Sequence, residues 1–100
     1  MPQGSKILIV EDEMLISMEI KQKLRAMGYE VVGQAITGES AIQKAGETKP
    51  DLILMDIRLK GEMDGIAAAK RIMELYDLPI IFLTAHSDKA TLERAIAVSP

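Results

Sequence analysis

Lys6-Ile7-Leu8-Ile9-Val10-Glu11-Asp12-Glu13 decides how this chain is read. Ile7 to Val10 is an unbroken apolar run rich in β-branched residues and bounded by charge, as expected of a strand buried on both faces. Three acids stand where the run stops. From about Glu13 the period changes, and Ile16, Ile20, Leu24 and Met27 recur at helical spacing. That spacing predicts a helix with these four on its inner face, ended by Gly28 as the residue that takes up the left-handed turn.

Working outward, the alternation repeats. Glu30 to Ala35 reads as a second strand centred on Val31 and Val32. A helix over about Glu39 to Glu47 turns Ala41, Ile42 and Ala45 inward and stops before Lys49-Pro50, because the residue ahead of a proline disfavours helix. Leu52 to Asp56 is a third strand, apolar until its last residue. A polar loop from Arg58 to Asp64 closes at Gly65, and a third helix runs to about Tyr76, with Ile66, Ala69, Ile72, Met73 and Tyr76 at helical spacing. Pro79 precedes a fourth strand, Ile80 to Thr84, and Ser87 or Asp88 is placed to cap a fourth helix on Leu92, Ala95 and Ile96. Successive β–α units of this kind imply an α/β fold: a doubly wound parallel sheet covered on both faces, in one domain spanning residues 1–100.

Composition excludes several classes. The chain has no cysteine, so disulfide frameworks and thiolate metal sites are ruled out. Its apolar runs are far shorter than the roughly 20 residues of a membrane span. The acids after the first strand interrupt any signal-peptide pattern. A soluble, cytoplasmic protein is expected. The net charge is −3, the basic residues are scattered, and Tyr29, Tyr76 and Phe82 are the only aromatics. Little is left for stacking on bases, so no nucleic-acid partner is expected.

Ligands of a doubly wound sheet sit beyond the carboxyl ends of its strands. Those ends carry Glu11, Asp12 and Glu13 on the first strand, Asp56 on the third, and Thr84 followed by His86 on the fourth. With the first and third strands adjacent, Asp12 and Asp56 lie close. Close carboxylates must raise some of their pKa values or share a cation. Magnesium suits such a set, since it binds through one or two carboxylates and keeps waters and phosphate oxygens elsewhere. The plainer alternative is that polar residues merely end strands, with Asp12 or Glu13 starting the first helix.

Three stretches carry a resemblance. Ile7 to Glu13 resembles the acidic turn of response-regulator receiver domains; Asp51 to Leu59 with Met63-Asp64-Gly65-Ile66 resembles their phosphoacceptor strand and loop; Leu78 to Ala85 resembles their strand with a switch threonine. The resemblance implies a flavodoxin-like sheet of strand order 2-1-3-4. It implies that Asp56 accepts a phosphoryl group from a histidine kinase or phosphotransfer protein. Mg2+ would then bind to Asp12, Asp56 and the Arg58 backbone carbonyl, with Glu11 acting through a water. Thr84 would hydrogen-bond the phosphoryl group. Arg58 and His86 are placed to flank the pocket, where either could influence hydrolysis, but the plainer reading of both is a solvated loop side chain.

Such receivers add a fifth strand with a lysine, usually before a proline, and a fifth helix. The sequence ends at Ser99-Pro100, so the reading is a receiver incomplete at its C-terminus. Lys49-Pro50 is no substitute, because it precedes the third strand some 20 Å from Asp56, counting about 3.3 Å per residue. Two expectations follow: slow transfer to Asp56, and self-association through an exposed fourth strand. The rival reading is a truncated or pseudo-receiver fragment that acts only as a protein-interaction module. A dehalogenase-type aspartyl-phosphate enzyme would carry a second aspartate at position 58, where this chain has Arg58. A flavin carrier would need a phosphate loop in place of the three acids, and the dinucleotide fingerprint is absent.

Overall fold

The computed structural model describes residues 3–83. Its elements alternate as β1 (Lys6–Val10), α1 (Met14–Ala26), β2 (Glu30–Ala35), α2 (Gly38–Thr48), β3 (Leu52–Asp56), α3 (Gly65–Tyr76) and β4 (Ile80–Leu83). All pairings are parallel and the strand order is β2-β1-β3-β4, the flavodoxin-like arrangement expected. Thr84, His86 and the fourth helix lie outside the described residues. Among the described residues, no helix is long and apolar enough to cross a membrane.

Local chemistry explains the boundaries. Thr37 Oγ1 accepts from the Ser40 N–H at 3.1 Å and Asp64 Oδ1 from the Ala67 N–H at 2.9 Å, capping α2 and α3. Gly28 follows α1 with φ 93°, the left-handed conformation its place demands. α2 ends at Lys49 (φ 48°), immediately before Pro50.

Alternation along the strands makes two faces. Leu8, Val10, Ile53 and Met55 point to one, where they pack with Ala41 and Ala45 of α2 and Ala68 and Ile72 of α3 in the main core. Ile7 and Ile9 point to the other and are fully buried. There α1 lies over β1 and β2, and its Ser17 Oγ accepts from Gln34 Nε2 at 2.6 Å.

The inner face of α1 differs from the expected one. Its buried residue is Ser17, with Ile20 and Leu24 half-buried, whereas Ile16 and Met27 are 38% and 58% exposed. At about 100° per residue the apolar stripe sits roughly 60° away from the face that the sheet covers. The Ser17–Gln34 bond favours that rotation, because it satisfies two polar groups beneath the helix.

Candidate functional site

β1 and β3 are neighbours in the register Val10↔Met55, so the next step sets Glu11 beside Asp56 on one face of the sheet. The Glu11 N–H donates to the Ala35 carbonyl at 3.0 Å, carrying the ladder one residue past β1 and fixing the acidic turn. Glu11, Asp12 and Asp56 each offer a carboxylate oxygen, and these atoms lie within 4.8 Å of one another. Glu11 is 4% and Asp56 8% exposed, while Asp12 is half-buried. Glu13 occupies the N-cap position of α1 without a side-chain cap bond, so helix capping does not account for the acids.

The crowding has an electrostatic consequence. Burial pushes the Glu11 carboxyl up from 4.5 to about 8, helped by its hydrogen bond to Asp56 and by the charges of Asp56 and Asp12, and opposed by a backbone hydrogen bond from Glu13. A shift in this direction favours the protonated Glu11 carboxyl at neutral pH, donating to Asp56 in their hydrogen bond. A buried set of oxygens too close to be fully ionised matches what a hard divalent cation requires. The donor set therefore fits Mg2+.

The loop after β3 runs beside the acidic cluster. The Arg58 N–H donates to Asp56 Oδ1 at 3.3 Å, and the Arg58 side chain is exposed. Lys60 forms an isolated bridge with Thr37, which ties the loop to the start of α2. Met63 rests on Gly38, where an added Cβ would stand 2.7 Å from Met63 Cγ and displace that side chain. The loop is closed by the Gly65 N–H, which donates to the Ile57 carbonyl at 2.7 Å.

Glu11, Asp12 and Asp56 thus come together as the sequence suggested. Thr84 and His86 lie outside the described residues. Sequence reasoning implied that some carboxyl in the set must be protonated but did not identify Glu11, because the choice depends on its deeper burial relative to Asp12. It also registered Gly65 only as the close of a loop, since the crowding at that glycine has no counterpart in the sequence.

Residues 7–99 match the family described as the response regulator receiver domain. The transcriptional regulatory protein PdtaR of Mycobacterium tuberculosis is 44% identical over 90 residues, covering 90% of this chain and 43% of that protein. The chemotaxis protein CheY of Thermotoga maritima is 39% identical over 94 residues, covering 93% of this chain and 78% of that protein. Among solved structures, the signal receiver domain of a modulated diguanylate cyclase from Desulfovibrio desulfuricans superimposes with a TM-score of 0.89 at 39% identity, covering 94% of this chain and 75% of that one. The chain spans under half the length of PdtaR and most of the length of CheY.

Proposed function

The chain belongs to the response regulator receiver domain family, and from that premise we propose that Asp56 accepts a phosphoryl group from the phosphohistidine of a histidine kinase or phosphotransfer protein. A phosphoacceptor role is general to the family. The observation that carries it to this residue is the buried grouping of Asp56 with Glu11 and Asp12 at the carboxyl ends of β1 and β3. In the transfer, the P–N bond of the donor breaks and a P–O bond forms to an Asp56 carboxylate oxygen. The product is an acyl phosphate, labile enough for a transient signal.

Asp12, Asp56 and the Arg58 backbone carbonyl would hold Mg2+, with Glu11 acting through a water. When bound, Mg2+ supplies positive charge against the phosphoryl oxygens. The protein's own part is positional: the strand ends fix Asp56, and the Arg58 N–H orients one of its oxygens. Thr84 is proposed as the hydroxyl that hydrogen-bonds the phosphoryl group after transfer, and His86 as a flanking residue. The proposed setting is the cytoplasm, in a single domain over residues 1–100 with no nucleic-acid contact through this segment.

The test is treatment with Mg2+ and acetyl phosphate or beryllofluoride, read by intact mass and melting temperature, with Asp56→Asn as control. A covalent adduct that disappears in Asp56→Asn is the expected result. A folded protein showing neither adduct nor Mg2+ stabilisation would favour the pseudo-receiver reading, an interaction module without phosphoryl chemistry.

A second proposal concerns assembly. Ile81 on β4 is 52% exposed, and β4 ends the strand order among the described residues. An apolar strand with an unpaired edge is a template for another chain. Self-association of two copies through β4 is the reading this supports.

A further inference from the structure

Gly65 is the first residue of α3, yet neither backbone conformation nor helix propensity calls for glycine there. Its φ is not in the left-handed region, unlike those of Gly4, Gly28 and Gly61. Glycine is also among the poorest helix formers. What singles it out is space. A Cβ at Gly65 would overlap the Asp56 carbonyl oxygen and stand 2.8 Å from the Asp56 carbonyl carbon and 2.9 Å from Ile57 Cα. All three are main-chain atoms, so no side-chain rotation relieves the crowding. The same residue donates its N–H to the Ile57 carbonyl at 2.7 Å. The start of α3 is therefore seated directly on the peptide unit that follows Asp56.

We propose that Gly65 is a positioning residue for Asp56. Its missing side chain lets α3 clamp the Asp56–Ile57 peptide, and that clamp aims both the Asp56 carboxylate and the Arg58 N–H that contacts it. The inference rests on the phosphoacceptor reading above. A side chain at position 65 must push the Asp56 main chain by something on the order of 1 Å, a displacement worth about 10²-fold in rate when it misaligns a reacting group.

The experiment compares wild type, Gly65→Ala and Gly46→Ala for melting temperature, Mg2+-induced stabilisation and the maximal rate of acetyl-phosphate modification. Gly46 serves as control because its added Cβ would meet the Tyr76 hydroxyl at 2.5 Å, crowding the last turns of α2 away from the acidic pocket. Gly65→Ala is expected to melt lower than wild type, whereas Gly46→Ala should melt close to it, because the exposed Tyr76 ring swings aside and alanine favours the helix. Only Gly65→Ala is expected to lose modification rate, by about 10- to 100-fold, and to lose most of its Mg2+ stabilisation. A wild-type rate in folded Gly65→Ala overturns the proposal, as does an equal loss of rate in Gly46→Ala. Should Gly65→Ala not fold, Asp64→Ala carries the test, because it removes the cap bond to the Ala67 N–H and loosens the same turn. It should slow modification several-fold, with the rate restored in Asp64→Asn, which keeps a capping oxygen. Asp64→Ala at the wild-type rate overturns the proposal. Wild type that takes no adduct and gains nothing from Mg2+ instead defeats the phosphoacceptor reading itself.

Discussion

Glu11 stores a pH dependence in the fold. Its carboxyl titrates near 8 in the folded protein against 4.5 for an unperturbed one, chiefly because burial disfavours the charged form. Between those values the folded state binds more protons than the unfolded chain, so stability falls as pH rises. The contribution is fully present below about 4.5 and is lost as pH climbs through about 8. A loss of up to about 4 kcal/mol, or as much as roughly 20 °C in melting temperature, is expected for metal-free protein between pH 5 and 8.5. Thermal melts in EDTA across that range measure it, and Glu11→Gln should flatten the slope. Mg2+ should stabilise most at the alkaline end, since metal binding favours the ionised carboxylates. The acids were legible in the sequence because each ends an apolar strand, and strand ends are where such a sheet gathers its ligands. The protonated member was not, because ownership of the proton depends on depth. Glu11 is 4% exposed, while Asp12 one residue on is half-buried.

The strands and helices followed from period and punctuation, and α1 is where that logic reached its limit. Apolar residues at Met14, Leu15, Ile16, Met18 and Met27 surround much of the helix, so a hydrophobic stripe alone cannot say which line faces the sheet. A polar contact marks it: Ser17, 1% exposed, accepts from Gln34 on β2 at 2.6 Å. Helical periodicity ranks a serine low as an inner residue, which is why the expected face was displaced. Ser17→Ala should cost about 1 kcal/mol in urea denaturation, the usual worth of one such hydrogen bond. Leu15→Lys, at a position 77% exposed, should change stability by less than about 0.5 kcal/mol. In α3 the apolar pattern and the core coincide at Ile66, Ala69 and Ile72, while Tyr76, at the same spacing in the last turn, is 43% exposed. Ile72 is fully buried there, and Ile72→Ala should cost about 2–5 kcal/mol. A Leu15→Lys loss comparable to that of Ile72→Ala would mean that the outer side of α1 is covered in solution.

Among the described residues β2 and β4 flank the sheet, and the two are finished differently, which bears on the proposed self-association. On β2 the ladder breaks register between Ile7 and Leu8, so that Val32 is passed over, and Lys44 Nζ of α2 donates to the Gln34 carbonyl at 2.6 Å. An irregular strand with a carbonyl already occupied is a poor template. On β4 neither device is seen among the described residues. One row of side chains crosses the sheet on the α1 face, from Ile9 through Leu54 to Ile81. Exposure rises along it, from 0% at Ile9 through half-buried Leu54 to 52% at Ile81. If copies associate as proposed, β4 is the expected meeting edge and β2 is not. Light scattering after size exclusion should show mass rising with concentration. A charge introduced by Ile81→Lys should suppress that rise by placing repelling groups at the shared edge. Lys44→Ala should leave the mass unchanged when β4 is the site, since it opens only the β2 margin. Monomers at every concentration, or association that Ile81→Lys does not reduce, would remove β4 as the meeting edge.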